Sequence, residues 1–394
     1  MASSSEGQGR RVEPVRAATN MGALPLDALY DILLRLPAKE LCGLRLVCRS
    51  WRALLSDPAF AAAHAARYPE PLVLIGYNNN KSLELENGEW NWKYQGVISI
   101  MDLSGHVVKK LRVDGHITSM SLHLACVKKT GDGSCRLVNP ATGAVHHVPK
   151  EDPAYGYSDR LCPFGQVAST REYKVLRKVS YSLNGNPRVL YEICAIVGRS
   201  SAVHGHEQWR MIQDPPCCID IDWCAKASVV IDGVVYFLSK NAYSAGGSEQ
   251  DWIASFDLET ERWRPNIRGP QGLIIYNGLV VDKKLSLVNL NGSLVIVHLP
   301  YLCMDLWCLL DSDKGLWVRQ YSIPIKEYYR RSISSSFTPL IVLDDGRIVI
   351  HIYGLGLGML KIYDPKTNKL SSVAETGLSS AVSVYTGTLL SLEW

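Results

Sequence analysis

The octapeptide "CCIDIDWC", Cys217 to Cys224, gathers three thiols and two carboxylates, with His204 and His206 shortly upstream. Thiolates, imidazoles and carboxylates are the ordinary ligands of zinc, so four donors are conceivable here. The spacing argues against such a site, because the usual gap of two to four residues between ligands is missing and no C-x-x-C pair lies nearby. The simpler reading packs these cysteines as small apolar residues between two structural repeats. A second pattern, "YGLGLGM" from Tyr353 to Met359, suggests a dinucleotide loop. That loop needs Gly or Ala where Met359 stands and a helix afterwards, whereas "LKIYDP" continues as a strand. Its glycines fit a tight turn or bulge between strands. No G-x-S-x-G, H-E-x-x-H or P-loop is present, and the ten histidines are dispersed. The sequence therefore assigns no catalytic residue, no metal site and no cofactor.

The 394 residues are 47% apolar and 20% charged, ordinary for a globular chain able to bury a sizeable core. A net charge of +4, with paired bases such as Lys109-Lys110 and Arg330-Arg331 scattered along the chain, implies no nucleic-acid partner. Eleven cysteines without a regular framework, behind a start with no apolar signal region, point to a reducing compartment. Residues 1–20 read as a disordered leader. No run of about 18 apolar residues marks a membrane span. Nucleus and cytoplasm are equally consistent with the chain.

The positioning elements differ sharply between the two ends. Near the start, Leu29, Ile32, Leu33 and Leu36 follow helical spacing behind a possible cap at Asp27. Pro37 stops that helix. A second helix is expected to carry Leu41, Leu44, Val47, Cys48, Trp51 and Leu55 on one stripe, with Arg45, Arg49 and Arg52 off it. A third, alanine-rich, starts at Asp57-Pro58. Three helices in about 45 residues cannot easily hide so many large side chains. Either the rest of the chain covers them or another protein does.

Leu24-Pro25, the Asp27 to Leu36 helix, Arg35-Leu36-Pro37, Leu41 and "LRLVCRSWRALLSDPAF" resemble an F-box over residues 22–62. Val47-Cys48-Arg49-Ser50-Trp51-Arg52 is the most specific part, and Ala28 departs from the larger apolar residue usual there. The resemblance implies docking to the Skp adaptor of a cullin–RING ubiquitin ligase. Carried over position by position, the contacts would come from Leu24, Pro25, Leu29, Ile32, Leu33, Leu36, Pro37, Leu41, Leu44, Val47, Cys48 and Trp51. Some of these must hold the helices together instead, and sequence does not divide the two sets. Leu33 is placed at the centre of the contact, where an Asp would abolish binding.

From residue 71 short alternating strands take over. An apolar residue, then Asp or Asn, then an apolar or Trp residue six positions later recurs at Asp102, Asn139, Asp257, Asp311 and Asp364. The last three are 54 and 53 residues apart, and Trp209 precedes Trp263 by 54 and marks a further copy. Asp232-Gly233, Asn291-Gly292 and Asp345-Gly346 are expected as tight hairpins with both central residues at positive φ. Units of about four strands that bury their faces only by stacking make a β-propeller. Six blades are expected, with the C-terminal strands completing the first. This region resembles the kelch-like F-box-associated domains of plant F-box proteins.

The expected fold is mainly β with a small α domain: leader 1–20, three-helix F-box domain 21–68, and kelch-like propeller 71–394, with residues 61–70 as the link. Asn78–Trp92, Pro149–Gly165 and Asn241–Asp251 are expected as exposed loops. Trp90, Trp92 and Trp223 lie off the repeat register and suit a recognition surface. The functional expectation is a non-catalytic substrate receptor, with an unknown protein target on the propeller. The alternatives are a propeller enzyme or small-molecule binder capped by the helices, with Asp220, Asp222 and His206 at the channel mouth, and an F-box scaffold acting outside the ligase.

Overall fold

The computed structural model describes residues 25–36, 38–68, 70–86, 89–121, 123–129, 134–149, 163–170, 172–183, 186–196, 208–219, 227–243, 252–271, 273, 285–300, 302–326, 336–354 and 356–385. The chain forms two compact units, Met1–Arg67 and Tyr68–Trp394. The first contains α1 (Leu26–Leu34), α2 (Ala38–Leu44), α3 (Arg49–Leu55) and α4 (Pro58–Arg67). The expected middle helix is thus divided in two. Its turns tighten at Leu46 and Val47, whose amides donate to the carbonyls of Gly43 and Leu44, and Cys48 then adopts extended backbone as the N-cap of α3. Pro25, not Asp27, is the N-cap of α1. Asp57 does cap α4: its carboxylate accepts the Ala59 amide at 2.7 Å.

The second unit is a propeller of six four-stranded sheets. Blade 1 is β1 (Leu72–Glu86), β2 (Glu89–Met101) and β3 (Val107–Asp114), with β24 (Ser379–Tyr385) as its first strand. Blade 2 is β4 (His116–Ser121), β5 (Leu124–Lys128), β6 (Cys135–Val138) and β7 (Val145–Val148). Blade 3 is β8 (Phe164–Gln166), β9 (Tyr173–Leu183), β10 (Asn186–Ile196) and β11 (Arg210–Ile212). Blade 4 is β12 (Ser228–Ile231), β13 (Val234–Leu238), β14 (Ile253–Asp257) and β15 (Arg262–Ile267). Blade 5 is β16 (Leu285–Leu290), β17 (Ser293–His298), β18 (Cys303–Asp311) and β19 (Leu316–Pro324). Blade 6 is β20 (Ser336–Val342), β21 (Ile348–Gly354), β22 (Leu357–Asp364) and β23 (Lys369–Gly377). All described pairings are antiparallel, and Leu72 opposite Tyr385 through Tyr77 opposite Ser379 close the ring as expected.

The recurring Asp or Asn is a turn device between the third and fourth strands of a blade. One side-chain oxygen accepts amides two or more residues on: Ser104 and His106 at Asp102, Ala141 and Thr142 at Asn139, Glu259 and Thr260 at Asp257, Asp313 and Lys314 at Asp311, and Lys366 at Asp364. Asp232-Gly233 and Asn291-Gly292 have positive φ at both residues, as a two-residue hairpin of right-handed twist requires. The third hairpin differs from expectation. Only Gly346 has positive φ, and its amide returns to the Leu343 carbonyl, so the strands are joined by a longer loop. In "YGLGLGM" the glycines serve a turn and a bulge: a Cβ at Gly358 would collide with the Thr376 hydroxyl where the register shifts.

Three tryptophans join adjacent blades. The indole N–H of Trp209, beside β11, donates to Pro149 O at 3.1 Å, beyond the last strand of blade 2. Trp263 in β15 donates to Gln213 O at 2.8 Å, and Trp317 in β19 to Arg268 O at 2.7 Å, each just past the outer strand of the preceding blade. One contact thus recurs across three successive blade boundaries, with the rings in the apolar clusters between the blades.

The expected loop Asn78–Trp92 is instead a long hairpin of β1 and β2. Alternating Leu and Trp with polar residues is a strand pattern, and the read-through into β2 was hidden by the polar run Asn78-Asn79-Asn80. Pro149–Gly165 and Asn241–Asp251 lie largely outside the described residues, as do the leader 1–20 and Trp223.

Candidate functional site

Among the expected contact residues, the helices separate those that face inward from those that face water. Leu33 and Leu41 are 1% and 0% exposed and belong with the buried Leu55, Phe60 and Ala61. The Tyr30 ring meets Phe60 edge-on at 5.0 Å. His64 Nε2 lies 2.9 Å from the Leu36 carbonyl, tying α4 to the end of α1, and burial lowers the pKa of His64 against that hydrogen bond. Arg45, expected off the apolar stripe, is buried, and its guanidinium donates to the Leu55 carbonyl. The broken middle helix explains this reversal: Arg45 sits in the turn and reaches across to the end of α3.

The outward set is Ile32 at 46% exposure and Val47 at 62%, with Pro25 and Cys48 also exposed. Leu29, Leu36, Leu44 and Trp51 are half-buried. Leu24 and Pro37 lie outside the described residues. Leu46, at 76%, was missed because a continuous helix puts it off the stripe; the turn after α2 is what presents it. The Cys48 thiol is held below its ordinary pKa by the Ser50 hydroxyl, 3.1 Å away, and by the Trp51 amide. Leu33, expected at the centre of the partner contact, faces inward in this unit. It is an interior residue, as is Leu41, and a charge at either would break the helical unit itself.

The propeller's own cavity encloses about 710 Å³ and is lined by first and second strands of several blades. Its described lining carries two imidazoles, His123 and His351, among hydroxyl, amide, phenol and aliphatic groups. His351 Nε2 is 3.0 Å from Thr376 Oγ1 and 3.1 Å from Ser379 Oγ. Burial lowers the pKa of His123, whose ring meets Tyr385 edge-on at 5.2 Å. Asp220, Asp222 and His206, expected at the channel mouth, lie outside the described residues. So do the remaining potential metal ligands of the Cys217 segment, except Cys217, half-buried, and Cys218, exposed.

Polar bridges also hold blades 3 and 4 together. Glu261 accepts Lys174 at 2.8 Å and takes Arg210 in a two-bond fork at 2.7 and 2.8 Å. Burial pushes its carboxyl upward, but these cations outweigh that and hold it below the ordinary value. No helix among the described residues is long and apolar enough to cross a membrane.

Comparison with known proteins places both units. The F-box associated beta propeller domain matches residues 100–387, and the F-box domain matches residues 22–61. F-box protein At3g07870 of Arabidopsis thaliana is 22% identical over 421 residues, covering 96% of this chain and 94% of its own. F-box protein At3g22700 of the same plant is 28% identical over 257 residues, covering 62% and 69%. Among solved structures, TolB from Acinetobacter baumannii aligns with a TM-score of 0.42 at 14% identity, covering 83% of this chain and 71% of that one. The chain belongs to the F-box proteins that carry an F-box-associated β-propeller domain.

Proposed function

We propose that this protein is a substrate-receptor subunit of an SCF-type cullin–RING ubiquitin ligase. The observation that carries the reading is the apolar set Ile32, Leu46 and Val47 turned to water on an F-box whose interior is already filled by Leu33, Leu41, Leu55 and Phe60. Burying a large aliphatic side chain is worth about 1.5–3 kcal/mol, so three of them on one small unit supply a strong drive toward a partner. The Skp-type adaptor is that partner. Its contact draws on Pro25, Ile32, Leu46, Val47 and Cys48, with the half-buried Leu29, Leu36, Leu44 and Trp51 at its margin.

The propeller holds the target protein. The receptor contributes proximity, raising the local concentration of target lysines near the charged ubiquitin carrier, and carries out no bond chemistry itself. The test is binding of the full-length protein to purified Skp adaptor by calorimetry. Wild type binds, and Val47→Asp binds at least about tenfold more weakly while its circular dichroism is unchanged. Undiminished binding by a folded Ile32→Asp, Val47→Asp double variant overturns the contact set. Adaptor binding without ubiquitin transfer in a reconstituted assembly would instead mark a scaffold acting outside the ligase.

A further inference from the structure

The cavity of the propeller is built mainly from strand edges. β4, β12, β16, β20 and β24 each stand at one end of their sheet, and each contributes residues to the lining. Side chains alternate between the two faces of a strand, yet residues 379–384 of β24 line the cavity without a break. Such a run meets the cavity edge-on and turns one row of peptide N–H and C=O groups toward it, as an end strand does. The volume of about 710 Å³ falls within the range of roughly 300–1,000 Å³ typical of small-molecule sites.

The lining is uncharged and rich in hydroxyls. Its described residues include no Lys, Arg, Asp or Glu, while six are serines. Several of the polar groups are already oriented. Thr118 Oγ1 donates to the Cys126 carbonyl at 3.2 Å, and Ser380 Oγ to the Gly76 carbonyl at 3.1 Å. Their protons are thereby spent, and both oxygens present lone pairs. Asn289 is fixed the other way round: its Oδ1 accepts the Gly292 amide at 2.8 Å, which leaves its NH2 to donate. His351, 5% exposed, lies 3.0 Å from Thr376 Oγ1 and 3.1 Å from Ser379 Oγ, so the imidazole and the hydroxyls hold one another in place. His123 sits in the turn between β4 and β5, and burial favours its neutral ring.

These features select among ligands. A carboxylate, phosphate or ammonium group would leave water for a described lining that offers no opposite charge to pair it. A purely apolar ligand would strip water from the hydroxyls, imidazoles and strand edges and return no hydrogen bond. An alcohol group answers both conditions, because it donates to oxygens such as those of Thr118 and Ser380 and accepts from an amide such as that of Asn289. Ile341, Tyr353 and Val382, all half-buried, add apolar surface for the carbon framework between such groups.

We propose that the propeller cavity is a binding site for a neutral, polyhydroxylated small molecule of the glycoside class. The site goes beyond the receptor reading and does not depend on the adaptor contact. The probes are phenyl β-glucoside and phenyl β-glucuronide, which share one frame and differ only in a hydroxymethyl group against a carboxylate, with maltose as a second neutral probe. Calorimetric titration of the full-length protein should show binding of a neutral probe, and the glucuronide should bind at least about tenfold more weakly than the glucoside. Ser119→Phe on β4 and Ser383→Phe on β24 set a ring into the cavity from two different blades. Each should weaken binding of the neutral probe about tenfold or more, while the unliganded protein melts near wild type. No binding of either neutral probe at millimolar concentration overturns the proposal, and so does a glucuronide that binds as tightly as the glucoside. Undiminished binding by both phenylalanine variants also overturns it, since the ligand would then sit elsewhere. The comparison of probes is made on wild type, so it decides the matter even where a variant fails to fold. Adaptor binding is measured on the same samples, and its failure in wild type sinks the receptor reading alone.

Discussion

At three propeller boundaries an indole N–H reaches the carbonyl beyond the preceding blade's outer strand, and the ring fills the space between the blades. In the helical unit Ile32, Leu46 and Val47 face water. Both regions are rich in large apolar side chains and both leave some in water, Met211, Leu310 and Leu378 among them in the propeller, yet the faces between the blades are filled from within the chain. The difference lies in repetition. A blade always has a neighbour made from the same chain, so each apolar face meets another, and β24 closes the last gap. Four short helices have no such succession, and their interior is complete after a few residues. What is left over is available to a second protein.

Deleting β24 should break the contrast most severely. A chain ending at Gly377 leaves Val73, Leu74 and Ile75, all fully buried, against an empty edge. We expect it to be insoluble or to lose its cooperative melt in calorimetry; a melt like that of wild type would show that blade 1 does not depend on ring closure. Next comes the pair Leu33→Asp and Val47→Asp. An unpaired charge at the buried Leu33 should cost about 3–5 kcal/mol and abolish the helical unit's protection in hydrogen exchange, leaving the propeller's protected. Val47→Asp should keep that protection and lose only the adaptor. If both variants lose protection alike, the division into interior and docking residues is wrong.

Trp263→Phe keeps most of the packed ring and removes the hydrogen bond to Gln213. About 1 kcal/mol of stability should go, roughly 1–2 °C in the melting temperature of a unit this large. Trp317→Phe should match it, because the contact to Arg268 is the same device one blade later. Unequal losses would sharpen the comparison by showing which blade boundary is weakest.

The smallest effect concerns Glu261, which Lys174 and Arg210 hold below its ordinary value of 4.5. A carboxylate whose folded pKa is lowered contributes its stability above the unfolded value, and that contribution vanishes as pH falls through the folded one. Glu261→Gln should therefore melt lower than wild type at pH 7, with the gap closing below about pH 4.5 as the unfolded carboxyl takes up its proton. A gap independent of pH would assign the loss to packing.

Much of this architecture is written locally. The Asp and Asn of five blades cap a turn with their own side chains, so their spacing shows up in the sequence as repeat length and turn position. Asp232-Gly233 and Asn291-Gly292 announce their hairpins because few other residue pairs tolerate two positive φ angles in succession. The F-box stretch is legible for a similar reason, since its helical period and its Val47 to Arg52 segment lie within a few turns of chain.

The rest depends on neighbours distant in sequence. Whether Leu33 or Ile32 faces inward is decided by where α4 lies against α1, and the burial of Arg45 by a carbonyl ten residues away. Leu46 is presented only because the helix ends before it. The partners of the three indoles lie 49 to 60 residues back along the chain, and no local pattern names a carbonyl. The register shift between Asn79 and Lys81 in the β1–β2 pairing is likewise nothing that alternation alone reveals. Backbone preference and spacing act over a few residues and can be read in order. The orientation of a face is a property of pairing, and pairing exists only once the chain has folded back on itself.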